Sequence, residues 1–212
     1  MEELTDLKQP IAIRNEYVAH CPTTIYVKQH KKSKNSADED ITVWRGLDGS
    51  KKCPYERKLF AIDRESAPFT QHRYFRDASS LPLFELALKK SGVTWFVHPP
   101  GGKETSVSIA AIAPIWNPLK NKLDVYVRNS AGDGEEVKLK VRGQDLSRLK
   151  THVYFNKALV MTALRTDGHR SFTELEWEVG VTRGLDVSLV RSSSLRIELT
   201  VISLMLLLRR HR

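Results

Sequence analysis

Apolar residues recur at every second position through much of this chain, in short runs separated by polar turns. The clearest case spans residues 123–143. Leu123, Val125 and Val127 alternate with Asp124, Tyr126 and Arg128. After the loop NSAGDGEE, Val137, Leu139 and Val141 alternate with Lys138, Lys140 and Arg142. A period of two belongs to β-strands, whose successive side chains point to opposite faces. The two runs therefore predict a hairpin with one apolar face and one face in water. β-branched and aromatic runs predict further strands over residues 23–29, 40–46, 58–63, 80–89, 93–98, 106–116, 152–156, 158–165, 175–181 and 185–190. Pro114 cannot donate to a ladder and marks an edge or a bend.

Strands spaced about ten residues apart, with turn residues between them, point to a sandwich or a barrel. No long amphipathic helix interrupts them, which argues against a doubly wound α/β fold and its nucleotide crevice. The last segment is ambiguous: SLRIELTV (194–201) alternates like a strand, whereas VISLMLLLRR (201–210) favours a helix. Residues 197–208 read IELTVISLMLLL, and RRHR follows. Spanning hydrocarbon takes about 20 apolar residues. This run is shorter, contains Glu198 and follows Arg196, so the chain is not expected to be transmembrane. Ser192, Ser193 and Ser194 are good helix caps, and Arg209, Arg210 and Arg212 suit a helix C-terminus. A helix apolar on every side must be enclosed. The expectation is a mainly β fold closed around a buried C-terminal helix.

Composition supports one core. The 212 residues are 41% hydrophobic, enough for a single domain over residues 1–212. Residues 1–20 read as a loose N-terminal arm, and residues 30–39 as a charged loop. Thirty-four basic residues face 25 acidic ones, a formal net charge of +9, which attracts polyanions. The polar start MEELTDLKQP lacks the apolar run of a secretory signal. An intracellular, cytoplasmic protein with reduced thiols is the default.

Catalytic chemistry finds little support. Cys21 and Cys53 sit in no CxxC or Cys/His pattern. His20, His30, His72, His98, His152, His169 and His211 are scattered without ligand spacing. GLDGS and GDGE are turns that open no helix, unlike a phosphate-binding loop. No enzyme, metal or cofactor is expected.

Four segments resemble a known family as a series. They are HRYFRDASSLPLFEL (72–86), GVTWFVHPPGG (92–102), KLDVYVRNSAGDGEEVKLKVRG (122–143) and VSLVRSSSLRIELTVISLMLLL (187–208). Together they resemble the tubby C-terminal-like superfamily, more closely the LURP-one-related proteins and their fungal tubby C-terminal-domain-like members. The resemblance covers about residues 23–208. It implies a strand at the start of the first segment and a closed twelve-stranded antiparallel barrel around a central C-terminal helix. Two features depart from the family. Arg196 and Glu198 lie where it is more apolar, and the loop after residue 29 is longer and more charged.

The basic residues supply the candidate site. Lys138, Lys140 and Arg142 share one exposed strand face, and Arg128 lies on the partner strand. Lys120 and Lys122 precede the hairpin, and Arg148 and Lys150 follow it. Such a stripe can hold phosphates through charge-assisted hydrogen bonds. The plainer explanation is solubility, since lysines on strand faces protect against aggregation. Lys28, Lys31, Lys32 and Lys34 form a second cluster. Tubby proteins bind phosphoinositides, but no residue motif carries that site over, so the resemblance implies fold more firmly than function. The expected function is a non-enzymatic binding module that docks peripherally on anionic phospholipid, including phosphoinositide. One alternative is a soluble interaction or scaffold protein without lipid affinity. Another is nucleic-acid binding through the same charge, which lacks both the aromatic-plus-basic RNA platform and a helix for the major groove.

Overall fold

The alternating runs form twelve antiparallel strands in a computed structural model, which describes residues 3–30, 41–46, 57–64, 72–88, 92–102, 107–117, 122–145, 149–167 and 175–189. The strands are β1 (Thr23–Gln29), β2 (Ile41–Arg45), β3 (Arg57–Arg64), β4 (His72–Asp77), β5 (Pro82–Leu88) and β6 (Trp95–His98). They continue as β7 (Ala110–Ile115), β8 (Lys122–Arg128), β9 (Glu136–Gly143), β10 (Lys150–Phe155), β11 (Ala158–Arg165) and β12 (Glu176–Val181). Each pairs with its sequence neighbours, and β12 pairs with β1 to close the barrel. Closure leaves no strand as a full edge.

The period of two sorts the side chains. Ile25, Val27, Ile62, Phe75, Leu86, Ile112, Val125, Val127, Val153 and Val179 are buried in one core. Lys28, Glu176 and Glu178 alternate with buried neighbours on β1 and β12. A membrane-spanning barrel shows the reverse, an apolar band outside and a polar interior. Between β10 and β11 the chain reverses through Asn156 and Lys157, with φ of 46° and 74°, as the tightest hairpin turns require.

Twelve strands are expected and twelve are present among the described residues, but one differs. Of the run 185–190, read as a strand, the described residues 185–189 instead make two isolated bridges, Ile11 with Leu185 and Val18 with Asp186, and then a 3-10 turn over Val187–Leu189. The alternation in LDVSLV is real, but Asp186 gives its carboxylate to main-chain N–H groups in place of a ladder. Conversely, β4 appears only in the family resemblance. Its buried side includes Arg73 beside Phe75, which hides the apolar period. Pro114 fits the expectation of a local edge, because β6 pairs with β7 only as far as Ile112 while β8 pairs onward to Ile115.

Residues 1–20 are not a loose arm where they are described. Ile11, Ala12, Ile13 and Ala19 are buried. The Thr5 N–H donates to the Leu159 carbonyl at 2.8 Å, and the Ile11 N–H to that of Gly184 at 2.9 Å. Gly184 has φ +86°, and a Cβ there would stand 3.0 Å from Leu7 Cβ; a glycine lets the two segments meet. Asp186 completes the junction. Its Oδ2 accepts from the N–H groups of Ile13 and Arg14, both at 2.9 Å, and its Oδ1 from Ser188 at 2.7 Å. The N-terminal segment thus straps the barrel end that carries the β8–β9 and β10–β11 turns. The expected C-terminal helix, with Arg196 and Glu198, lies outside the described residues, as does the loop over residues 31–40.

Candidate functional site

The β8–β9 register decides which cations meet. Across the pair, Lys122 stands opposite Arg142, Asp124 opposite Lys140, Tyr126 opposite Lys138, and Arg128 opposite Glu136. On the other flank of β9, Arg142 faces His152 and Lys140 faces Tyr154 of β10. Leu123, Val125, Val127, Leu139 and Val141 occupy the alternate positions and are buried in the core. Lys138, Lys140 and Arg142 therefore share the outer face, as the alternation predicts.

Asp124 organises that face. It is only 6% exposed although it belongs to the outer set. Its carboxylate bonds the two diagonal neighbours. Lys138 Nζ lies 2.5 Å from Oδ2, and Arg142 Nη2 donates to Oδ1 at 2.8 Å. Arg142 Nη1 also donates to the carbonyls of Leu123 at 2.7 Å and Val141 at 2.8 Å. The guanidinium is thus largely engaged by its own barrel. Burial works against ionisation of Asp124, but the hydrogen bonds and charges of Lys138 and Arg142 outweigh it and hold the carboxyl below its ordinary value. The hydrogen bond to Asp124, with help from Tyr126, raises the pKa of Lys138. The Lys138 ammonium lies 5.2 Å from the Tyr126 ring centroid, within cation–π range.

The remaining candidates separate along the barrel. Lys140 is exposed directly opposite Asp124, and Lys122 is half-buried at the far end of the row. Arg128 is exposed at the strapped end, across from Glu136. It lines a shallow groove of about 190 Å³ with Val107, Tyr126 and Glu136. The carboxylate of Glu136 beside it offsets the charge an anion would seek. Lys150 begins β10 opposite Leu164. Lys120 and Arg148 lie outside the described residues. Of the second cluster, Lys28 pairs with Glu176 at 2.8 Å, while Lys31, Lys32 and Lys34 are outside the described residues.

Two residues of this candidate surface escape the sequence pattern. Asp124 reads as an ordinary hairpin residue; its place among lysines on both strands was the available signal. Trp116 follows β7 and is 87% exposed, and nothing in the apolar period singles it out. Among the described residues no group of three or more His, Cys, Asp or Glu side chains could hold a metal ion. Among the same residues no helix is long and apolar enough to cross a membrane.

A family model described as LURP-one-related matches residues 23–192, which covers all twelve strands. No curated protein matches the chain significantly. Among solved structures, the chain is similar to an X-ray structure of an Arabidopsis thaliana protein. The TM-score is 0.59 at 16% identity, with 92% of this chain and 99% of the other covered. At that identity the likeness speaks to the fold alone.

Proposed function

The chain belongs to the LURP-one-related family, and from that premise we propose that it is a non-enzymatic, intracellular binding module that docks peripherally on anionic phospholipid. The observation that carries this reading is the row of Lys138, Lys140, Arg142 and Lys122 on one outer face of paired strands. Among the described residues, the buried carboxylate of Asp124 is bonded into that row. Paired strands hold the backbone under the cations at fixed spacing, so little loop freedom is lost on docking. Tyr126 and Tyr154 stand across from Lys138 and Lys140 and supply amphipathic rings suited to a headgroup layer. Phosphoinositide, with its extra phosphates, is the preferred anionic lipid on charge grounds.

The test uses Lys122→Gln with Lys140→Gln, because a glutamate at position 140 would stand directly opposite Asp124. Replacing Lys138 or Arg142 as well would strip Asp124 of its partners and would confuse binding with folding. Each basic residue at an anionic surface contributes about 1 kcal/mol. The double neutralisation should therefore weaken binding to phosphoinositide-containing vesicles about thirtyfold, about 2 kcal/mol. Melting should be unchanged, and wild-type binding should fall with added salt. Wild-type protein that ignores anionic and neutral vesicles alike would overturn the lipid reading and leave a protein-interaction module.

A further inference from the structure

The barrel end opposite the N-terminal strap carries a second signature. Six large apolar side chains are exposed among the described residues, and four of them, Val93, Ile115, Trp116 and Leu164, belong to this end. Leu81 and Val107 lie towards the other. Trp116 is 87% exposed and follows Ile115, itself 41% exposed, at the last residue of β7. The register sets cations beside these groups. Ile115 stands opposite Lys122, Lys122 opposite Arg142, and Leu164 opposite Lys150.

We propose that Ile115 and Trp116 insert into the headgroup–acyl boundary of an anionic bilayer, so that the barrel docks with this end tilted into the membrane. The proposal rests on the lipid-docking reading and adds depth and orientation to it. Exposed apolar side chains rimmed by polar residues mark interaction sites. The charge beside them selects the occupant. A tryptophan next to Ile115, which faces Lys122, matches the membrane interface, where the indole sits at headgroup level and the cations meet lipid phosphates. The cation row descends β9 from Lys138 to Arg142 and crosses to Lys122, next to Ile115. One edge of the barrel therefore offers charge and insertion together.

Trp116→Ala should test this without harm to the fold, given the exposure of the side chain. Binding is measured on vesicles of phosphatidylcholine and phosphatidylserine, with brominated lipid as a depth-dependent quencher of tryptophan emission. The variant should bind about tenfold more weakly, equivalent to about 1.4 kcal/mol, at an unchanged melting temperature. The quenching seen in wild type should largely disappear, and Trp116→Phe should restore most of the affinity. Wild type and Trp116→Ala that bind equally and are quenched equally would overturn insertion while leaving electrostatic docking intact. A wild type that binds neither these vesicles nor phosphoinositide-containing ones would overturn both. A dimer that Trp116→Ala dissolves would identify a second copy as the occupant and overturn the proposal.

Discussion

Asp124 shows how one side chain changes the meaning of a basic stripe. Lysines and an arginine on one strand face suggest free positive charge, yet two of the three spend it on a buried carboxylate. The pKa of Asp124 lies below its ordinary value, so its ionised form stabilises the fold. That contribution is fully present above the ordinary carboxylate value of 3.8 and is lost as pH falls through the depressed folded value. Asp124→Asn should therefore be less stable than wild type at neutral pH, by about 1–2 kcal/mol for the weakened charged hydrogen bonds. Urea melts at neutral and strongly acidic pH should show the gap closing as the wild-type carboxyl takes its proton.

At the scale of elements, the N-terminal segment behaves as part of the barrel, and Asp186 is the fastening. Its carboxylate serves three main-chain N–H groups from two segments more than 170 residues apart in sequence. Burial raises its pKa, and the hydrogen bonds from Arg14, Ser188 and Ile13 pull it part of the way back. The sign is opposite to that of Asp124. This group lowers stability as pH rises from 3.8 through the raised folded value, then has no further effect. Asp186→Ala would leave the buried N–H groups of Ile13 and Ser188 without their acceptor. Each orphaned group costs about 1–3 kcal/mol, so a loss of about 3 kcal/mol or more is expected, read as a lower melting temperature. Faster hydrogen exchange over residues 11–19 should accompany it.

The whole molecule is a meander that closes on itself, so its stability depends on the last strand meeting the first. β12 pairs Val179 with Ile25 of β1 and with Ala163 of β11. A proline is tolerated where a ladder ends, as at Pro114, but not between two neighbours. Val179→Pro should break the closure and expose the edges of β1 and β11. Most of the expressed chain should then be insoluble, with any soluble fraction lacking near-ultraviolet circular dichroism. A proline at Ile115, past the end of β6, should be far milder by the same two measurements.

Local periodicity was enough to determine most of the strands and their facing, because a period of two is written in neighbouring residues and needs no tertiary contact. It placed Lys138, Lys140 and Arg142 on one outer face, and the order of the strands made an antiparallel β architecture the natural reading. β4 was legible only through the family's motif, since Arg73 stands where an apolar residue would announce the inner face. Tertiary structure alone decided the rest. Barrel closure depends on β1 meeting β12 across about 150 residues, and no local pattern encodes that distance. Asp186 turned an alternating run into a clasp by taking main-chain donors from the N-terminal segment. The register across β8 and β9 brought Asp124 between two cations and set Ile115 beside Lys122, because contact on a sheet depends on which residue of the partner strand lies opposite.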